Sequence, residues 1–152
     1  MFKRILVALD GSFQSQAALE PARFLAESNG AEILLVRAVE ARLSPSADAY
    51  CRELRTCEKY LKRVAAELSE SDIRAAWKVL DAHDDPATNL LWVIEREQPD
   101  LLLMTSHNRR GLRRLLHRSV AEKVVGLASC PVLVVGRNSR LLKSYVRQER
   151  RS

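Results

Sequence analysis

A chain of 152 residues, 47% of them apolar, can fill one domain with a full hydrophobic core, and it holds no uninterrupted apolar run near the roughly 20 residues of a membrane helix. The formal charge of +6 is unevenly placed: residues 1–104 carry 13 Lys/Arg against 17 Asp/Glu, whereas residues 105–152 carry 12 against 2. A last third this basic points to an anionic partner (phosphate, nucleic acid, a lipid surface or an acidic protein) or to a solvated surface that only aids solubility, and composition leaves both open.

Met1-Phe2-Lys3-Arg4 leads straight into an apolar segment without a small-residue cleavage site, so no secretory signal is expected and the protein is predicted to be cytoplasmic. The run 5–9, Ile-Leu-Val-Ala-Leu, is rich in strand formers and ends at Asp10-Gly11-Ser12, as suits a strand buried on both faces of a parallel sheet. Ser12 or Ser15 is placed to cap the next helix, whose apolar stripe runs through Ala17, Ala18, Leu19, Ala22, Phe24 and Leu25. Pro21 inside that stripe predicts a new turn or a kink, and Asn29-Gly30 predicts its end.

The second strand is predicted over 33–36. Ser44-Pro45-Ser46 then opens a long helix to about Leu68, with Tyr50, Leu54, Cys57, Leu61, Val64, Ala65 and Leu68 at helical spacing. A third strand covers 73–80. Asp84-Asp85-Pro86 starts a helix, with carboxylates at the positive end of its dipole, and that helix stops near Gln98-Pro99. A fourth strand covers 101–104, a loop 105–111, a helix 112–128 and a fifth strand 131–135. Strands and helices alternate with no hairpin signal, which calls for right-handed βαβ crossovers. The predicted fold class is α/β, an open five-stranded parallel sheet with helices on both faces. Residues 137–152 form a basic tail, read either as a short amphipathic helix around Leu141, Leu142, Tyr145 and Val146 or as a solvated extension.

In such sheets ligands bind beyond the carboxyl ends of the strands, where strand order reverses. Two loops stand at such ends, Asp10-Gly11-Ser12 and 105–111. The helix after the second offers unpaired N–H groups to a phosphate beside Arg109, Arg110, Arg113, Arg114 and Arg118. Asp10 also suits a plain turn. His83, His107 and His117 are scattered and read as loop residues, and Ser106 and Ser119 lack an evident base. Asp84 and Asp85 read as helix caps, and Trp77 and Trp92 as packing residues. Cys51, Cys57 and Cys130 lack the spacing of a metal or redox pair and are expected as reduced thiols. No catalytic set is recognised, so the chain is not read as an enzyme.

The segments 5–12, 100–104, 111–116, 119–124 and 130–135 together resemble universal stress proteins, in order, over a domain of residues 1–136. The resemblance implies a Rossmann-like fold of the adenine nucleotide alpha hydrolase type and a homodimer through the last strand, at Val132 and Val134. In the ATP-binding branch of that family a G-x2-G-x9-G-S/T signature follows the fourth strand. Aligned here, its glycine positions are Thr105, Asn108 and Arg118; Ser119 is kept, as is Asp10. Asn tolerates left-handed backbone, whereas β-branched Thr105 resists it and Arg118 adds bulk where the family keeps bare backbone.

The resemblance places Ala8, Asp10 and Ala38 near base and ribose, and Met104, Thr105, Asn108, Arg118, Ser119 and Val120 on the phosphate side. The leading expectation is a non-enzymatic stress-response protein acting through dimerisation and a protein partner, without ordinary ATP binding and with no metal. The alternatives are a nucleotide sensor whose arginines replace the glycine loop, and a polyanion or nucleic-acid binder using the basic last third.

Overall fold

Five short apolar runs become the strands of one parallel sheet: β1 (Arg4–Ala8), β2 (Glu32–Glu40), β3 (Ala75–Ala82), β4 (Leu101–Thr105) and β5 (Val132–Val135). Their spatial order is β3-β2-β1-β4-β5. A computed structural model describes residues 1–40, 44–82, 85–105 and 120–136. The loop 105–111 beyond Thr105, the first part of the predicted 112–128 helix, all three histidines and the tail 137–152 lie outside the described residues.

Between the strands stand a 3₁₀ turn (Gln14–Ala18), α1 (Leu19–Asn29), α2 (Ala47–Ser69), α3 (Pro86–Glu97) and α4 (Val120–Leu127). Successive strand side chains face opposite sides of the sheet, so each apolar strand feeds two cores. Ile5, Val7, Ile33, Leu35, Leu101 and Leu103 pack against α1 and α2. Leu6, Leu34, Val36, Leu102 and Met104 pack against α3 and α4. Full burial of each Leu or Ile contributes about 1.5–3 kcal/mol, and this two-sided burial is what requires continuous apolar strands. The expected doubly covered parallel sheet is therefore observed.

Local signals set most helix ends. The Ser46 hydroxyl accepts from Ala49 N–H at 3.2 Å and starts α2. Asp85 accepts from Ala87 and Thr88 N–H at the start of α3, with Pro86 in the first turn, where its missing donor is harmless. Gly30 ends α1 at φ 66°, the left-handed cap that glycine adopts without strain.

Some expectations needed correcting. Neither Ser12 nor Ser15 caps α1. Instead the Ser12 hydroxyl accepts from Ser15 N–H at 3.2 Å within the 3₁₀ turn, and α1 continues from that turn with Ala18 at its N-cap position. Of the two outcomes expected for Pro21, a new turn or a kink, the first is observed: it falls in the first turn of α1. β2 runs to Glu40 because its ladder with β3 continues to the pair Glu40↔Ala82, and backbone pairing does not need apolar side chains. Trp92 is 59% exposed and not a packing residue. The core side of α3 is Leu90, Val93 and Ile94, which leaves Trp92 outside under the Arg96 guanidinium, 5.2 Å from its ring centre. Trp77 does pack on the first core.

The amino end of the sheet is tied by charge. Arg4 meets Glu32 at 2.5 Å and Glu97 at 3.6 Å, Lys78 also meets Glu97, and Asp100 accepts from the N–H groups of Lys3 and Arg4 at 2.7 and 2.8 Å. The candidate site lies at the other end.

Candidate functional site

β1 lies between β2 and β4, and the chain reverses its direction of travel across the sheet there: β2 and β3 fall on one side, β4 and β5 on the other. The carboxyl ends of β1 and β4 therefore border the switch point, the position where open parallel sheets leave a crevice. Register brings these ends level, since Val7 pairs with Leu103 and Thr105 lies two residues beyond.

The loop after β1 is built by its own side chains. Asp10 Oδ1 accepts from Ser12 N–H at 2.8 Å, the aspartate turn anticipated as the bland role of this residue. The Ser15 hydroxyl donates to Ser12 O at 2.8 Å, and the 3₁₀ turn carries the chain away from the sheet edge. Gly11 has φ 81°, a conformation that L side chains rarely adopt. A second reason for glycine is the Arg37 guanidinium. A Cβ on Gly11 would stand 2.5 Å from Arg37 Cζ and 2.6 Å from Nη1.

The structure brings several expected site residues together. Ala8 is half-buried at the end of β1 and Met104 is buried near the end of β4, both on the α3/α4 side of the sheet. Ala38 is half-buried and shares that side by alternation along β2, where it pairs with Leu80. Their small or flexible side chains leave the edge over β1 low. Thr105 is half-buried, pairs with Val135 and has the opposite parity, so its side chain belongs to the α1/α2 side. Val120, at the start of α4, is exposed. Asn108, Arg118 and Ser119 lie outside the described residues, as does the arginine cluster 109–114.

Cys57 is buried and Cys130 half-buried, and burial pushes both thiols up; Cys51 is exposed, and all three are free. Among the described residues no group of three His, Cys, Asp or Glu side chains could hold a metal ion.

Sequence reading missed two features near this edge. Lys123 of α4 reaches Asp85 at 2.9 Å and the Thr88 hydroxyl at 3.1 Å, joining the start of α3 to α4. The hydroxyl of Thr88 and the ammonium of Lys123 hold the Asp85 carboxyl well below the usual carboxylate range. No local pattern announces a contact spanning 38 positions. The second is Arg37, whose signal was legible: it stands at an odd-numbered, core-facing position of β2, between Leu35 and Val39.

The model of the universal stress protein family matches residues 1–136. Universal stress protein YxiE of Bacillus subtilis is 30% identical over 149 residues, which cover 89% of this chain and 99% of that one. A universal stress protein family structure from Burkholderia pseudomallei superposes with TM-score 0.69 at 27% identity, over 88% of this chain and 95% of that one. A universal stress protein family protein from Arabidopsis thaliana, solved with AMP bound, gives TM-score 0.65 at 20% identity over 90% and 93% of the two chains.

Proposed function

The chain belongs to the universal stress protein family, and we propose that within it the protein acts as a cytoplasmic, non-enzymatic stress-response protein that works as a homodimer and through protein contacts. We assign no catalytic role to any residue. The observation that carries the reading is the outer edge of β5. Among the described residues this strand is the sheet's last, paired with β4 on one side only. Val132 and Val134 turn partly into the α3/α4 core, whereas Leu133 on the other face is 41% exposed. Val125 and Leu127 of the adjoining α4 are 54% and 62% exposed. An open strand edge with apolar neighbours is a surface that proteins cover, and a second copy adding its own β5 covers it.

Sedimentation equilibrium of the full chain tests this reading. Wild type is expected as a dimer at micromolar concentration and Leu133→Asp as a folded monomer. A monomeric wild type at 100 micromolar would reject it, on the affinity scale of stable dimers.

A second reading, a nucleotide sensor, is favoured by the ends of β1 and β4 standing level at the switch point, with Asp10 just beyond β1 and the small Ala8 and Ala38 on the α3/α4 side. The AMP-bound Arabidopsis protein of the same fold makes an adenine nucleotide the ligand to try. Ala8, Asp10 and Ala38 would hold base and ribose, and Met104, Thr105, Asn108, Arg118, Ser119 and Val120 the phosphates. Calorimetric titration with ATP and Mg²⁺, beside Arg118→Gly, separates the readings: binding by the variant alone means that Arg118 blocks the pocket, and binding by wild type makes the protein a sensor.

A further inference from the structure

β2 sends Ile33, Leu35 and Val39 into the core under α1 and α2, and between them, at the same parity, it sends Arg37. The stem of Arg37 runs through this apolar layer, and its head ends against Gly11 at the carboxyl edge of the sheet. The Arg37 Cζ stands 5.8 Å from the centre of the Tyr60 ring, on α2. Arg63, one turn further along α2, stands 5.7 Å from the same ring centre. Arg63 has a carboxylate, Glu67, at 3.0 Å. Arg37 has none among the described residues.

Two polar atoms in this cluster are buried without a hydrogen-bond partner: Nε of Arg37 and the hydroxyl of Tyr60. The side chains of Ser15 and Gln16 lie close to that hydroxyl without forming a bond of good geometry. Leaving a buried donor unpaired costs free energy, more so when it carries charge. A valine or leucine at position 37 would complete the core at no such cost. An arginine held here, half-buried, with its Nε unpaired and no carboxylate beside it among the described residues, suits a partner from outside the chain.

We propose that Arg37 and Tyr60, with Arg63 beside them, form a binding site for a tetrahedral oxyanion of the phosphate class. It lies on the α2 side of the Asp10-Gly11-Ser12 loop. Candidate nucleotide residues Ala8, Ala38 and Met104 face the other side of the sheet, and of the candidates on the strands only Thr105 shares the Arg37 side, so this site is centred elsewhere. Guanidinium and phenol both donate, and a phosphate oxygen accepts from both at once. The ligand is either free phosphate or the terminal group of a phosphomonoester, since both present the same oxygens.

The test is calorimetric titration of the full chain, prepared free of phosphate, with inorganic phosphate and separately with AMP, at ionic strength matched by chloride. Wild type is expected to bind, with Arg37→Gln weaker by about tenfold or more and Tyr60→Phe weaker severalfold. Arg96→Gln, on the other face of the sheet, is expected to bind as wild type does. Tighter binding of AMP than of phosphate, with the same dependence on Arg37, identifies a phosphomonoester; equal binding identifies free phosphate. Absence of binding by wild type overturns the site. So does undiminished phosphate binding in Arg37→Gln, which would place the anion on the basic last third. Should Arg37→Gln fail to fold, Tyr60→Phe decides by the same criterion. The dimer measurements on Leu133→Asp are independent of every arm.

Discussion

The ammonium of Lys123 lies 2.9 Å from the Asp85 carboxylate that caps α3 and 3.1 Å from the Thr88 hydroxyl bonded to that same carboxylate. One acid thus closes a helix and fastens it to α4, the helix that follows the switch-point loop. Its cap bonds are worth more than its ion pair, because both charged side chains are more than a third exposed and solvent screens them. Asp85→Ala is expected to lower stability by about 1–2 kcal/mol in urea denaturation, and Lys123→Met by less than about 1 kcal/mol.

The pH dependence of that clamp has a definite sign. Asp85 titrates lower in the folded chain than its unfolded value of about 3.9, so its contribution is present above that value and is lost as pH falls through the folded value. The stability gap between wild type and Asp85→Asn should therefore be constant from pH 5 to 7 and shrink below about pH 4. Urea midpoints across that range check it, and a gap that widened on acidification would contradict the assignment.

Tyr50 gives the opposite case. Its hydroxyl donates to Asp81, which ties the first turns of α2 to the end of β3, and this hydrogen bond to a carboxylate pushes the phenol up to about 12. A group raised on folding stabilises fully below its unfolded value of about 10 and loses that contribution as pH rises through the folded value. Burial raises Tyr60 as well, so ultraviolet titration should show a late tyrosinate phase that shrinks by one tyrosine in Tyr50→Phe.

The fold was legible because its signals are local. Alternating apolar runs, Pro86 behind Asp85, Ser46 before α2 and Gly30 after α1 act within a few residues, and the structure keeps each of them. Strand order and the identity of what sits over the switch point depend on contacts across 30 to 100 positions. The Lys123–Asp85 clamp was invisible for that reason, whereas Arg37 was signalled only by its core-facing place in β2 and its reach to Gly11 by nothing local. Pattern reading also treats each strand residue as inward or outward, and Arg37 belongs to neither class: its stem is inward and its head is at the edge.

Burial separates two large side chains that composition treats alike. Leu103 is fully buried in the middle of β4, between β1 and β5, and Leu103→Ala should cost about 2–5 kcal/mol through lost burial and the cavity left behind. Trp92→Ala, at a side chain mostly in solvent beside Arg96, should cost under about 1 kcal/mol. Guanidinium denaturation curves of the two variants compare them directly.

Gly11 and Arg37 should be energetically coupled. Gly11→Ala places a methyl group at a backbone of φ 81° and within 2.8 Å of Cζ, Nη1 and Nη2 of the Arg37 guanidinium. The backbone strain alone is about 1–3 kcal/mol, and the clash adds to it unless the arginine moves. Shortening the arginine removes the clash but leaves the strain. In a double-mutant cycle Gly11→Ala should therefore cost less in an Arg37→Ala background than in wild type, with a coupling of at least about 0.5 kcal/mol. Additive costs would mean that the guanidinium swings away freely, and the close packing of Arg37 against the switch-point loop would then have no energetic weight.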